Sequence, residues 1–153
     1  MEQSKLWTKE FIINALINFF VAMNFFLLMV IISDYTMKKF GSAPGEAGFA
    51  ASAFIIGALA VRFITGNLLI RAGYKETLAL GVVTGFIMSM LYLWVNNIYF
   101  LLVVRFFHGA SFGIATSSTA TIVADIVPRG RSGEGIAYYS MSQTLATAIG
   151  PFL

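Results

Sequence analysis

The chain has 153 residues, is 58% hydrophobic and 11% charged, carries a net charge of +3 and contains no cysteine; its mean hydropathy is +0.82. Soluble domains carry about 25% charged residues, so this composition excludes an ordinary water-soluble globule. The missing cysteines exclude disulfides, thiolate metal sites and a cysteine nucleophile, and a small, scattered positive charge fits an anionic membrane leaflet rather than nucleic acid.

Residues 1–10 form a polar start with Lys5 and Lys9. The run 11–32 is apolar apart from Asn14, Asn18 and Asn24; about 20 such residues span a bilayer core, which predicts a first transmembrane helix. A signal peptide would have an apolar region of only about 7–15 residues, ending in small residues, whereas this run closes on Met29-Val30-Ile31-Ile32. Residues 33–46, with Asp34, Lys38, Lys39, Gly41, Pro44 and Gly45, predict a polar loop. A second helix is expected over 47–69, with one charge, Arg62, which is either a candidate transport residue or close enough to the inner end to snorkel. Residues 66–75, reading Gly-Asn-Leu-Leu-Ile-Arg-Ala-Gly-Tyr-Lys, predict a tight basic turn. A third helix is expected over 78–95, then a turn at Asn96-Asn97 flanked by Tyr92, Trp94 and Tyr99, aromatics that favour the membrane–water boundary. A fourth helix follows over 98–124, a charged loop over 125–134, and a fifth helix over 135–153.

These runs are apolar nearly all round, unlike the two-faced helices of a soluble bundle, and they lack the strand alternation of a membrane barrel. The fold class is therefore an all-α membrane protein with about five transmembrane helices. Lys5, Lys9, Arg71, Lys75, Arg129 and Arg131 fall on one side, against Lys38 and Lys39 on the other. The positive-inside bias then places the N-terminus in the cytoplasm.

Gly81/Gly85 and Gly109/Gly113 form a Gly-x-x-x-Gly in the third and fourth helices, a spacing that lets helix backbones approach closely. Arg105 lies on the Gly109/Gly113 row. A charge inside a membrane helix usually faces a cavity or a partner, and Arg105 is expected to face a transport cavity, the alternative being a snorkel to the outer headgroups. His108, three residues on, is a hydrogen-bonded packing group or a proton carrier. Asn14 and Asn18 share a helical face, either as packing glue or as substrate contacts. No pair of acids lies within a membrane segment, and nothing in the chain has the spacing of a metal or cofactor site.

Residues 66–75 resemble the loop between helices 2 and 3 of major facilitator superfamily transporters, Gly-x-Leu-x-Asp-Arg-x-Gly-Arg-Lys. Gly66, Leu68, Arg71, Gly73 and Lys75 match; Ile70 stands in place of the family Asp and Tyr74 in place of a frequent Arg. Arg105-Phe106-Phe107-His108-Gly109 resembles the family's Arg-x-x-Gln-Gly of helix 4, with His108 for Gln. Residues 125–128 and 131–134 follow the family pattern, and Ala146, Gly150 and Pro151 resemble the helix 5 Gly-x-x-x-Gly-Pro of drug–proton antiporters, with Ala146 for the first Gly. The resemblance implies the N-terminal part of a twelve-helix transporter built from inverted three-helix repeats, working by alternating access. It implies proton-coupled efflux of small hydrophobic compounds across a plasma membrane, with lipid, substrate and proton as partners and no cofactor. A sugar or metabolite carrier of the same family, or a non-transporting assembly protein, are the alternative readings; an enzyme is disfavoured because no acid or nucleophile is placed beside His108. On this resemblance the chain is a fragment cut in helix 5 and is not expected to transport alone.

Overall fold

The computed structural model describes residues 5–152. Residues 1–4 of the polar start and Leu153, expected as the last residue of the fifth helix, lie outside the described residues. Every regular element among the described residues is helical: α1 (Lys9–Phe40), α2 (Pro44–Ala72), α3 (Tyr74–Leu91), α4 (Ile98–Ile126) and α5 (Ser132–Ile149), with short 3-10 turns between or after them. Among the described residues four helical spans are long and apolar enough to cross a membrane, with mean hydropathies of 2.5 for α1, 2.0 for α2, 1.7 for α3 together with the turn that follows it to Trp94, and 1.6 for α4. α5, of 18 residues, is more polar, with Ser140, Ser142, Gln143, Thr144 and Thr147, and runs against α1 and α4. The chain is an all-α, multi-pass membrane protein.

Helix boundaries differ from the apolar runs for local reasons. α1 continues eight residues beyond Ile32, through what the composition predicts as loop. Asp34 and Lys38 pair at 2.8 Å along an exposed helical face, and Thr36 donates to the Ile32 carbonyl at 2.6 Å, so polar residues extend the helix instead of ending it. Gly41, at φ 63°, stops it by turning into the left-handed region. α2 then starts on Pro44, with Glu46 reaching back to the Ala43 N–H at 3.1 Å.

The predicted turn over 66–75 shrinks to one residue. α2 runs to Ala72 and α3 begins at Tyr74, so only Gly73 is outside a helix. Its φ of 92° lies where a side chain is strained. Its carbonyl accepts the Thr77 hydroxyl at 2.7 Å. Gly66, by contrast, sits inside α2 with open space around it and makes no turn. At the far end of the third helix the chain tightens into a 3-10 turn over Tyr92–Trp94, and Asn97 caps α4 by accepting from the Phe100 N–H at 2.8 Å. α5 starts three residues earlier than the apolar run and gives way at Gly150 to a 3-10 turn over Gly150–Phe152.

α4 is the hub. Its Gly109 meets the Phe54 carbonyl of α2, and Gly113 lies so close to Ala58 that a Cβ there would come within 2.6 Å of the Ala58 carbonyl oxygen. From the α2 side, Gly57 meets the Phe106 carbonyl. Gly81 and Gly85 of α3 instead pack on Ala115 and Ser111, on a different face of α4. The two Gly-x-x-x-Gly rows therefore serve two separate interfaces and do not meet each other. On α5, Ala146 is fully buried, and a Cβ on Gly150 would lie 2.8 Å from the Phe26 side chain of α1. Leu6, Phe11, Val123 and Val127 close the Gly73 end of the bundle.

A pair of glycine substitutions separates packing from propensity. Gly109→Ala should lower the free energy of unfolding in detergent by about 1–3 kcal/mol, because the methyl has nowhere to go. Gly66→Ala should be neutral or stabilising by about 0.5–1 kcal/mol. Equal effects, read by thermal circular dichroism, would contradict the close contact of α2 and α4.

Candidate functional site

Among the described residues, the buried side chains that hydrogen-bond from one helix to another form two groups. The first lies toward the end that carries Gly41 and the α3–α4 connection. Arg105 is fully buried there. Its Nε donates to the Ala50 carbonyl at 3.1 Å and an Nη to the Ala51 carbonyl at 3.4 Å, both on α2. The other Nη donates to the Tyr92 hydroxyl at 3.5 Å, and the guanidinium carbon sits 4.8 Å from the centroid of the Phe54 ring. A guanidinium without a carboxylate is thus held by two helix carbonyls, a phenol oxygen and an aromatic face. His108 lies one turn on, with Nδ1 3.2 Å from the Tyr92 hydroxyl and Nε2 3.4 Å from the Ser89 hydroxyl.

Arg105 neither snorkels nor lines the cavity in front of this group. That cavity, of about 300 Å³, lies between α1, α3 and α4; His108 is on its wall and Arg105 is not. Its surface is mostly aromatic and aliphatic, with Phe20, Phe25, Phe86 and Phe112, and Asn24, Ser89 and Ser111 among the few polar groups. The geometry makes Arg105 a clamp between α2 and α4.

The second group lies toward the Gly73 end. Asn14 donates to the Thr119 carbonyl at 2.9 Å, and Asn18 donates to the Ser142 hydroxyl at 2.8 Å. The Thr119 hydroxyl donates to the Asn18 side-chain oxygen Oδ1 at 3.4 Å and lies 2.8 Å from the Tyr139 hydroxyl. These bonds tie α1, α4 and α5 together, and the buried side-chain oxygen Oδ1 of Asn14 has no hydrogen-bond partner among the described residues. Arg62 of α2 stands apart from them: it shares a cavity of about 320 Å³ with Asn18, Thr116, Ser117, Tyr139 and Gln143.

Between the two groups sits a layer of three rings. Phe25 stacks on Phe54 at 4.8 Å between centroids, and Phe112 lies 5.2 Å from Phe25 and 5.4 Å from Phe54. Phe112 faces both cavities.

The family-motif residues are spread out. Arg71 and Lys75 are exposed on either side of Gly73, with Gly66 and Leu68 on the preceding helix. Ile70, in the acidic position, is 83% exposed. Arg131 pairs with Glu134 through two bonds of 2.8 and 2.7 Å. Sequence reasoning noted Tyr92 only as a boundary aromatic and missed Thr119, Tyr139 and Ser142. A signal was present in the i, i+3 spacing of Tyr139 and Ser142, which gives α5 a polar edge to meet Asn14 and Asn18.

The sequence profile described as the Major Facilitator Superfamily matches residues 15–153. The chain belongs to the Major Facilitator Superfamily. Among curated proteins it is similar to the "Multi-drug resistance efflux pump PmrA" of two strains of Streptococcus pneumoniae, 30% identical over 115 residues in each case. The match covers 74% of this chain, and the chain spans 26% of the length of these relatives.

In this superfamily member the clamp can be tested apart from transport. Arg105→Lys keeps the charge but loses the fork that reaches both carbonyls, and should cost about 1.5–3 kcal/mol of stability. Tyr92→Phe should cost about 1 kcal/mol. Unchanged thermal unfolding of the Arg105→Lys protein in detergent would contradict the clamp.

Proposed function

We propose that this chain is the N-terminal part of a proton-coupled exporter of small, largely hydrophobic compounds, set in a plasma membrane with its N-terminus in the cytoplasm. The observation that carries the reading is the similarity to a multidrug efflux pump within a family of transporters. The aromatic wall of the cavity between α1, α3 and α4 supports it, because sites for apolar ligands combine many apolar side chains with a few polar ones. The basic residues at the Gly73 end support the orientation.

Proton coupling needs a titratable group within the membrane. Among the described residues every Asp and Glu lies toward a helix end or in a connection. His108 is buried, faces the cavity and touches two hydroxyls, so it is the coupling group we assign in this chain. Asn14 and Asn18 act as packing ties, and the Gly73 turn with Arg71 and Lys75 acts as the moving loop at the cytoplasmic face.

Deleting the gene in its host should raise the steady-state accumulation of a fluorescent hydrophobic dye, and a protonophore should erase the difference. His108→Gln, which restores the usual family residue, should leave expression intact while abolishing the response to the pH gradient. Equal dye accumulation in parent and deletion strains would contradict export. For the orientation, single cysteines at Lys75 and Gly130 should resist an impermeant thiol reagent in intact cells while one at Asn96 is labelled; the reverse pattern would invert the topology.

A further inference from the structure

Arg62 and Arg105 are the two arginines held within the membrane span of this chain, and their surroundings differ. Arg105 has its hydrogen bonds met by the protein. Arg62 has no hydrogen bond or ion pair among the described residues, and it is exposed. Extension of α2 to Ala72 places Arg62 ten residues from the helix end, a distance of about 15 Å along the axis.

What surrounds Arg62 is neutral and rich in hydrogen-bonding groups. Asn18 of α1, Thr116 and Ser117 of α4, and Tyr139 and Gln143 of α5 line the same cavity, and no carboxylate does. Phe112 forms one wall of this cavity and also one wall of the aromatic cavity beside it. An apolar body against the rings and a charged group at Arg62 could therefore belong to one molecule. A planar guanidinium matches a carboxylate or sulfonate through two parallel bonds.

We infer that Arg62 is the anion-recognition point of the substrate path, so that the preferred substrates are hydrophobic compounds carrying an anionic carboxylate or sulfonate. This rests on the export reading and narrows it. Arg62 supplies the counter-charge, Gln143 offers a further donor, and Phe112 contacts the apolar body.

The test uses the full chain in phosphatidylcholine nanodiscs, with empty nanodiscs as background, and three matched probes: naphthoate, naphthylmethanol and naphthylmethylammonium. Naphthoate should bind most tightly. Arg62→Gln should weaken naphthoate by about tenfold and leave naphthylmethanol unchanged, while Arg62→Lys keeps the order of the three. The charge order in the unmodified protein decides the matter even if Arg62→Gln fails to insert. Binding that ignores charge, or that favours the ammonium, would overturn the assignment and leave export standing. Binding of none of the three would also overturn the assignment, and dye accumulation in the deletion strain decides export separately. Selective naphthoate binding without any change of dye accumulation in the deletion strain would keep the assignment and remove the export reading.

Discussion

The structure depends on how closely α2 and α4 approach. Lipid tails are as apolar as leucine, so burying hydrophobic surface gives two membrane helices little reason to associate; contact between backbones and a few polar bonds must do it. Here Gly57, Gly109 and Gly113 let the two backbones meet at Phe106, Phe54 and Ala58. That contact puts the Ala50 and Ala51 carbonyls within reach of Arg105. The row Arg105, Gly109, Gly113 is thus one continuous surface, four residues apart at each step, with the charge as its polar end. Were α2 to back away, the guanidinium would lose its acceptors in a medium that offers no replacement.

The remaining helices are arranged from that pair. α3 uses the next face of α4, where Gly81 and Gly85 meet Ala115 and Ser111, and this brings Ser89 and Tyr92 to His108. α1 and α5 are joined in a comparable manner, through Asn18 and Ser142 and through Gly150 against Phe26. Polar groups consequently gather toward the two ends of the bundle, and Phe25, Phe54 and Phe112 keep them apart. The apolar rings lower the local dielectric, which strengthens the electrostatic contacts on both sides of them. For the proposed exporter, this layer is where an apolar substrate meets the wall.

The membrane fold was legible because length and apolarity suffice for it: the runs around Asn18, Gly57, Gly85 and Gly109 are too long and too apolar for anything but spanning helices. Boundaries were less legible. Composition marks 33–40 as polar, but in a helix that projects beyond the hydrocarbon a polar residue such as Asp34 or Thr36 is no reason to stop. The glycines carried mixed information, since Gly73 makes the turn that its type suggests whereas Gly66 does not. Site residues were legible as types but not as contacts. Arg105 stands out in the sequence, yet its acceptors are backbone carbonyls 54 and 55 residues away, which no side-chain pattern encodes. Tyr139 and Thr119 look ordinary until α5 folds back on α4.

The close contact at Gly57, Gly109 and Gly113, with the Arg105 clamp beside it, holds α2 and α4 at one separation. The chain has no cysteine of its own, so two introduced cysteines give a clean pair of spin labels. Phe63 on α2 and Val103 on α4 are exposed and make no part of the interface described above. The distance between labels at these positions, measured by double electron–electron resonance in nanodiscs at acidic and neutral pH, should give one narrow distribution that does not shift. A second resolved distance, or a broad distribution that changes with pH, would contradict the account.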